Sequence, residues 1–166
     1  MYKLTLPVLV LIALTACPGV QYQPGTPITT DFQGEWSYGT ISSVQYYNPI
    51  NGHWGQANGA GDRFKLKPNG RYERSRLLQI TTGNCESNLF IYEIGTVRME
   101  NNQIKFQPAD GAVKGQSCSA ANSYEKRGPG AVKPETWNYQ LQINEFNQDV
   151  LVLTQGEAVA HYGRPQ

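Results

Sequence analysis

The sequence predicts an all-β protein in which an antiparallel up-and-down meander closes into a small barrel of about eight or nine strands. Three observations support this fold class. Apolar and polar residues alternate with a period of two in several segments, and turn signals such as Asn-Gly and Pro separate them. The composition is rich in aromatic and turn-forming residues, with 10 Tyr, 5 Phe, 3 Trp, 17 Gly and 10 Pro. At 166 residues, the chain is long enough for one domain with a substantial core.

The alternating segments define the predicted strands, and the clearest hairpin turns at Pro68-Asn69-Gly70. No segment shows a helical period. Residues 81–87 and 110–134 lack the alternation, so we expect them to be irregular apart from one short strand. The predicted strands are 32–40, 62–67, 71–80, 88–99, 103–107, 123–126, 136–143, 150–154 and 157–162.

The first residues predict export. Lys3 precedes an apolar run at 4–14 that is too short for a stable membrane span. Leu14-Thr15-Ala16-Cys17 resembles the lipobox of bacterial lipoproteins. The resemblance implies cleavage before Cys17 and acylation of Cys17 by fatty acids, palmitate among them, which anchor the chain in the bacterial cell envelope. The alternative is an ordinary secretory signal peptide with a chance cysteine.

We therefore expect three regions: a signal peptide at 1–16, a lipidated N-terminus and flexible tether at 17–31, and a β-barrel domain at 32–166. The tether prediction rests on its Pro and Gly residues and its lack of apolar periodicity. Pro18 and Gly19 stand where an Asp retention signal would lie, which favours the outer membrane, facing the periplasm or the cell surface.

Gly34-Glu35-Trp36 resembles the Gly-x-Trp motif that opens the first strand of lipocalin-like, calycin-type barrels. The resemblance implies that Trp36 plugs the closed end of the barrel and that Arg164, near the last strand, lies across its ring. The wider pattern over 32–164 resembles uncharacterised bacterial lipoproteins with a lipocalin-like domain. This likeness supports the fold and carries no mechanism.

Two arginines fall on the apolar face of the first hairpin. The register places Phe64 opposite Arg74, and Arg76 then shares the same face, where an unpaired charge is costly. Three explanations are open. A bulge turns both arginines to water, which we favour; they lie at the open mouth and pair with Glu93 or Asp62; or they bind an anionic group of a ligand.

Cys85 and Cys118 are the only cysteines after Cys17 and lie in polar segments. In an exported chain such a pair predicts one disulfide, worth about 3–4 kcal/mol by loop-closure entropy. A zinc or catalytic pair is disfavoured, because the spacing matches no zinc motif and the chain has only two histidines. We expect no metal and no cofactor.

A Gly- and Asn-rich segment at 48–60 predicts a long loop beside the open end of the barrel. Trp54 within it has two interpretations. It packs back on the barrel rim, which we favour because burial of a large aromatic side chain is favourable, or it lines a surface for a ligand or partner.

The sequence contains no catalytic motif, so we expect no enzyme activity. The 14 basic and 13 acidic residues show no basic run, which disfavours nucleic-acid binding. Two functions stay open for what we expect to be a monomer. One is an envelope lipoprotein whose barrel interior holds a small apolar or amphipathic ligand below the Trp54 loop, a hypothesis that a side-chain-filled barrel would contradict. The other is a non-enzymatic protein-interaction or inhibitor module of the envelope that uses the long loop and the barrel rim. The candidate contact residues for a ligand or partner are Trp54, Arg74, Arg76 and Tyr92.

Overall fold

A computed structural model describes residues 24–39, 47–48, 53–54 and 60–165. The leader and Cys17 lie outside the described residues. Among the residues described, no helix has the length and apolar character needed to cross a membrane. One turn of 3₁₀ helix at Thr30–Phe32 precedes the first strand. The strands are β1 (Gly34–Gly39), β2 (Tyr47–Asn48), β3 (His53–Trp54), β4 (Gly61–Leu66), β5 (Arg71–Thr82), β6 (Cys85–Glu100), β7 (Gln103–Ser117), β8 (Ser119–Arg127), β9 (Glu135–Ile143), β10 (Asp149–Gln155) and β11 (Ala158–Gly163).

Eight strands form a closed antiparallel barrel, which confirms the predicted all-β fold. Their order is β6-β5-β4-β1-β11-β10-β9-β7, and the pairing of β6 with β7 closes the ring. β8 is an extra strand that pairs with the upper part of β7, and β2 and β3 form a separate two-stranded sheet. The architecture is consistent with a lipocalin-like fold.

Three central strands are longer than the sequence predicts. β5 continues to Thr82, and β6 begins at Cys85 after a two-residue turn. The prediction that 110–134 is irregular was wrong for most of this segment, because β7 runs to Ser117 and β8 follows it. The described side chains of β8 are exposed, so this strand has no buried face to impose an alternating pattern on its sequence.

The upper parts of β5, β6, β7 and β8 extend beyond the barrel as a four-stranded sheet. The pairing of β4 with β5 ends at Gly61 and Leu77, while β5 and β6 stay paired to their shared turn. We call this sheet, residues 78–91 and 112–127, the wall. The predicted disulfide between Cys85 and Cys118 is present and joins the tips of its strands.

The opposite end of the barrel is closed by Trp36, which has no exposed surface. The guanidinium carbon of Arg164 lies 3.7 Å from the Trp36 ring centroid, in the contact that the sequence predicts. Arg164 also donates hydrogen bonds to the main-chain oxygens of Gln33 and Asp31, at 2.5 and 2.6 Å. Gly34 has a φ of +95°, and a Cβ there would lie 3.2 Å from Arg164 Nη1, so the glycine of the motif makes room for the arginine.

Aromatic side chains fill the barrel above this plug. The ring of Phe64 lies 5.5 Å from that of Phe106 and 5.0 Å from that of Tyr162, and Tyr72 lies 5.0 Å from Phe106. These centroid distances are typical of tilted and edge-to-face contacts. Buried aliphatic residues surround them: Ile28, Leu66, Val97, Ile104, Leu151 and Leu153.

Candidate functional site

Charged side chains occupy the middle of the barrel interior. The predicted register is confirmed: Phe64 pairs with Arg74 and Asp62 with Arg76, and Arg74 in turn faces Glu93 on β6. The bulge that we expected to turn the arginines to water is absent from β5, whose pairing is regular on both sides. The pairing with Asp62 and Glu93 in the second explanation is present, but Arg74 lies buried in the barrel interior and not at the open mouth.

Arg74 is the centre of this group and is only 1% exposed. Its Nε lies 2.9 and 3.0 Å from the two carboxylate oxygens of Asp62, and its Nη2 also pairs with that group. Its Nη1 lies 3.1 Å from Glu135 and 3.8 Å from Glu93. The guanidinium carbon is 4.8 Å from the centroid of Phe106, so one face of the cation rests on the aromatic core.

Arg76 forms the upper edge of the group, with a side chain 20% exposed. Its Nη1 lies 2.5 Å from Glu135 Oε1, and its Nη2 lies 3.3 Å from Glu93 Oε2. We call Asp62, Arg74, Arg76, Glu93 and Glu135 the charge cluster.

Two aromatic side chains add hydrogen bonds to the charge cluster, although Arg76 Nε and Glu93 Oε1 are buried without a hydrogen-bond partner among the described residues. The Tyr162 hydroxyl donates to Asp62 Oδ2 at 2.9 Å, and Trp137 Nε1 donates to Glu135 Oε2 at 3.1 Å. Glu135, Trp137 and Tyr162 were not predicted to join the arginines. Glu135 lies two residues before Trp137 in the alternating strand, so the sequence does indicate that both side chains lie on the same face. The sequence alone does not show that β9 faces β5 across the barrel.

The carboxylates of the charge cluster respond to burial in different ways. Burial raises the pKa of Glu93 despite its arginine neighbours. Burial also acts to raise the pKa of Glu135, but Arg74 and Arg76 outweigh it and lower that pKa. The raised pKa means that the folded protein favours the neutral form of Glu93 more than the unfolded chain does.

Above the charge cluster, the inner face of the barrel continues onto the wall as an apolar surface. The register places Leu78 and Ile80 on the face of Arg76, and Leu78 pairs with Leu89 of β6. Leu78, Ile80 and Tyr124 are 46, 51 and 52% exposed. We call this surface the apolar strip; its members are Leu78, Ile80, Leu89, Ile91, Val113 and Tyr124.

A glycine on β7 fixes the far side of the apolar strip. Gly115 pairs with Tyr124, and a Cβ at Gly115 would lie 2.3 Å from the tyrosine ring. The tyrosine ring therefore occupies the space over Gly115 that any larger side chain would need. Tyr124 was not among the predicted contact residues, because the short strand predicted at 123–126 gave no sign of which strand it pairs with.

The structure does not bring the four predicted contact residues together. Arg74 and Arg76 face the interior, whereas Tyr92 pairs with Ser75 and lies on the outer face, with its hydroxyl donating to Glu73 at 3.2 Å. Trp54 lies on β3, opposite Tyr47, and its side chain is outside the described residues. Tyr92 therefore lies on the face opposite to Arg74 and Arg76, and its contact with a ligand or partner stays a prediction.

Among the described residues, no group of three His, Cys, Asp or Glu side chains is arranged to hold a metal ion. The carboxylates of the charge cluster are engaged by arginine, so the group forms a polar floor beneath the apolar strip. Comparison of the chain with protein-family models, curated proteins and solved structures finds no match.

Replacing Arg74 with methionine is expected to lower the free energy of unfolding by about 3–5 kcal/mol, because three buried acidic groups keep only one arginine. Urea denaturation measures the loss. Arg63→Met is the matched control: Arg63 lies on the adjacent strand and pairs with Glu35 at the surface, with 42% of its side chain exposed. That exposed pair is worth about 0–1 kcal/mol. Equal losses in the two variants would contradict a structural role for the charge cluster.

Glu93→Gln and Glu135→Gln are expected to change stability with opposite pH dependence. The raised pKa of Glu93 stabilises the fold below the ordinary glutamate pKa, and this contribution is lost as pH rises through the folded value. Glu93→Gln should therefore gain stability relative to the parent chain as pH rises above about 4.5. The lowered pKa of Glu135 has the reverse sign, so Glu135→Gln should be less stable near pH 7 and recover in acid.

Urea denaturation between pH 3 and pH 8 measures both trends. If Glu93→Gln loses stability relative to the parent chain as pH rises, the folded state favours ionised Glu93, which would contradict the raised pKa of this residue.

Proposed function

We propose that this chain is a membrane-anchored, non-enzymatic binding protein of the bacterial cell envelope, with a lipocalin-like barrel whose open end binds a small apolar or amphipathic ligand. One observation carries the proposal: the described part of the barrel is filled by side chains, while its inner face continues upward as the exposed apolar strip. The proposed ligand therefore lies above the charge cluster and not within the aromatic core.

The chemistry of the open end supports an apolar or amphipathic ligand. Covering the exposed halves of Leu78, Ile80 and Tyr124 supplies about 2–4 kcal/mol at the usual transfer energies of large apolar side chains. At the upper end of this range, the dissociation constant is about 1 mM. A tighter ligand needs further contacts, and the partly exposed Arg76 at the foot of the wall offers one for a polar or anionic head group.

The anchoring part of the proposal rests on the leader. The lipobox-like sequence that ends at Cys17 supports export and acylation, and the sequence that follows supports a short tether. The disulfide between Cys85 and Cys118 agrees with an oxidising compartment outside the cytoplasm.

A protein-interaction module is the second candidate, and the two outer strands of the wall favour it. Beyond Leu77, no described strand pairs with the edge of β5 that faces away from β6, and β8 pairs with β7 alone in the described sheet. An extended peptide adds readily to such edges. The same apolar strip then contacts a protein side chain instead of a small ligand.

Native mass spectrometry of the exported chain, released from membranes in mild detergent, tests the proposal. We expect the native protein to carry the extra mass of a bound small molecule, and this mass should be lost on denaturation. The polypeptide itself should be two daltons lighter than its reduced mass because of the disulfide. Leu78→Ser/Ile80→Ser should lose the extra mass because the apolar strip is interrupted. Val159→Ser, a substitution at a 52% exposed residue of β11, should keep it.

A clean apo mass for the parent chain, together with an envelope protein recovered by crosslinking through the wall, would replace the ligand-binding function with the interaction module. Equal loss of ligand in both variants would show that binding occurs away from the apolar strip.

A further inference from the structure

The closed end of the barrel carries the two most exposed large hydrophobic side chains in the described part of the protein. Ile143 ends β9 and is 69% exposed, and Phe146 lies in the turn to β10 and is 72% exposed. Antiparallel strand order places this turn at the same end as Trp36 and Arg164. Neither residue belongs to the apolar strip, which lies at the opposite end of the barrel.

The turn that displays Phe146 is well ordered. Asn144 Oδ1 accepts hydrogen bonds from the main-chain nitrogens of Phe146 and Gln148, at 3.0 and 2.9 Å. Asn144 N donates to Gln148 O at 2.9 Å, and Asn147 adopts a φ of +58° that closes the turn. The hydrogen-bonded turn therefore holds Phe146 outward, and a partner that buries this side chain loses little backbone entropy on binding.

The N-terminal segment enters the barrel at this same end. Thr26 N donates to Val97 O at 2.9 Å, and Ile28 N donates to Pro68 O at 3.0 Å, beside the turn between β4 and β5. The chain from Cys17 to Pro24 spans at most about 25 Å when fully extended. An acylated Cys17 thus keeps the closed end within about 25 Å of the lipid surface.

We infer that the closed end docks on the lipid bilayer, with Phe146 and Ile143 inserted among the lipids. The inference rests on the acylation of Cys17 in the proposed function, which supplies the tether. Two apolar side chains bind a membrane weakly by themselves, but a short tether gives them a high local concentration of lipid. Docking then directs the wall and the apolar strip away from the membrane.

Charges near the closed end are mixed in sign, so the docking is apolar in character. Glu145 and Asp149 flank Phe146, and the neighbouring β6–β7 hairpin presents Arg98, Lys105 and Glu100. Because these charges nearly cancel, we expect docking on neutral phosphatidylcholine and little effect of added salt.

Tryptophan fluorescence in vesicles tests the inference. Phe146→Trp is placed in the mature acylated chain and reconstituted in vesicles of phosphatidylcholine or its dibrominated analogue. The emission of the parent chain, with its three native tryptophans, is subtracted. We expect a blue shift and bromine quenching of the probe, because an inserted side chain lies about 5–10 Å into the interface. Val159→Trp near the open end is the matched control and should stay unquenched.

A second arrangement separates docking from anchoring. The same variants are held on the vesicles by an N-terminal polyhistidine tag and a nickel-chelating lipid, while mass spectrometry of the exported chain reports acylation of Cys17. Quenching at residue 146 in the tagged chain supports docking even if Cys17 carries no lipid, a result that would remove only the proposed anchor.

Equal, weak quenching at residues 146 and 159 in both arrangements would overturn the inference. A blue shift that depends on protein concentration without vesicles would also overturn it, because it would show that Phe146 binds a second copy of the chain.

Discussion

The ion pair between Arg74 and Asp62 is the constraint on which the interior of this barrel depends. A guanidinium group that is 1% exposed must be paired from several directions, since burial without partners is prohibitively costly. Asp62, Glu93 and Glu135 come from three different strands, so the pairing fixes the register of β4, β5 and β6 and brings β9 across the barrel. Phe106 supports the same cation from below.

The charge cluster divides the barrel into two parts with different roles. Below it, aromatic packing and the Trp36–Arg164 contact produce a filled, closed end. Above it, the inner surface becomes apolar again on the wall, where no described strand from the opposite side of the barrel rises to cover it. This division suits the two proposals, which use the wall as the binding surface and the closed end as the face that docks on the membrane.

The features that could be predicted from the sequence depend on local patterns. The Phe64–Arg74 register, the Trp36–Arg164 contact and the disulfide could all be inferred, because each depends on alternation, a short motif or a single cysteine pair. The wall was predicted only in part: the ends of β5 and β6, the upper part of β7 and most of β8 were missed, and β8 buries no described side chain that would impose a pattern. The partners of Arg74 were only partly foreseen, since Glu135 lies 61 residues away and reaches the arginine only through barrel closure.

The exchange of the Arg74 Nε proton, followed by nitrogen-15 NMR, tests the central claim that the charge cluster seals the barrel interior. Nε donates to both oxygens of Asp62 inside a filled core, so we predict exchange far slower than that of the Arg63 Nε proton at the surface. Equally fast exchange at the two arginines would show that water reaches Arg74 and would contradict the sealed interior.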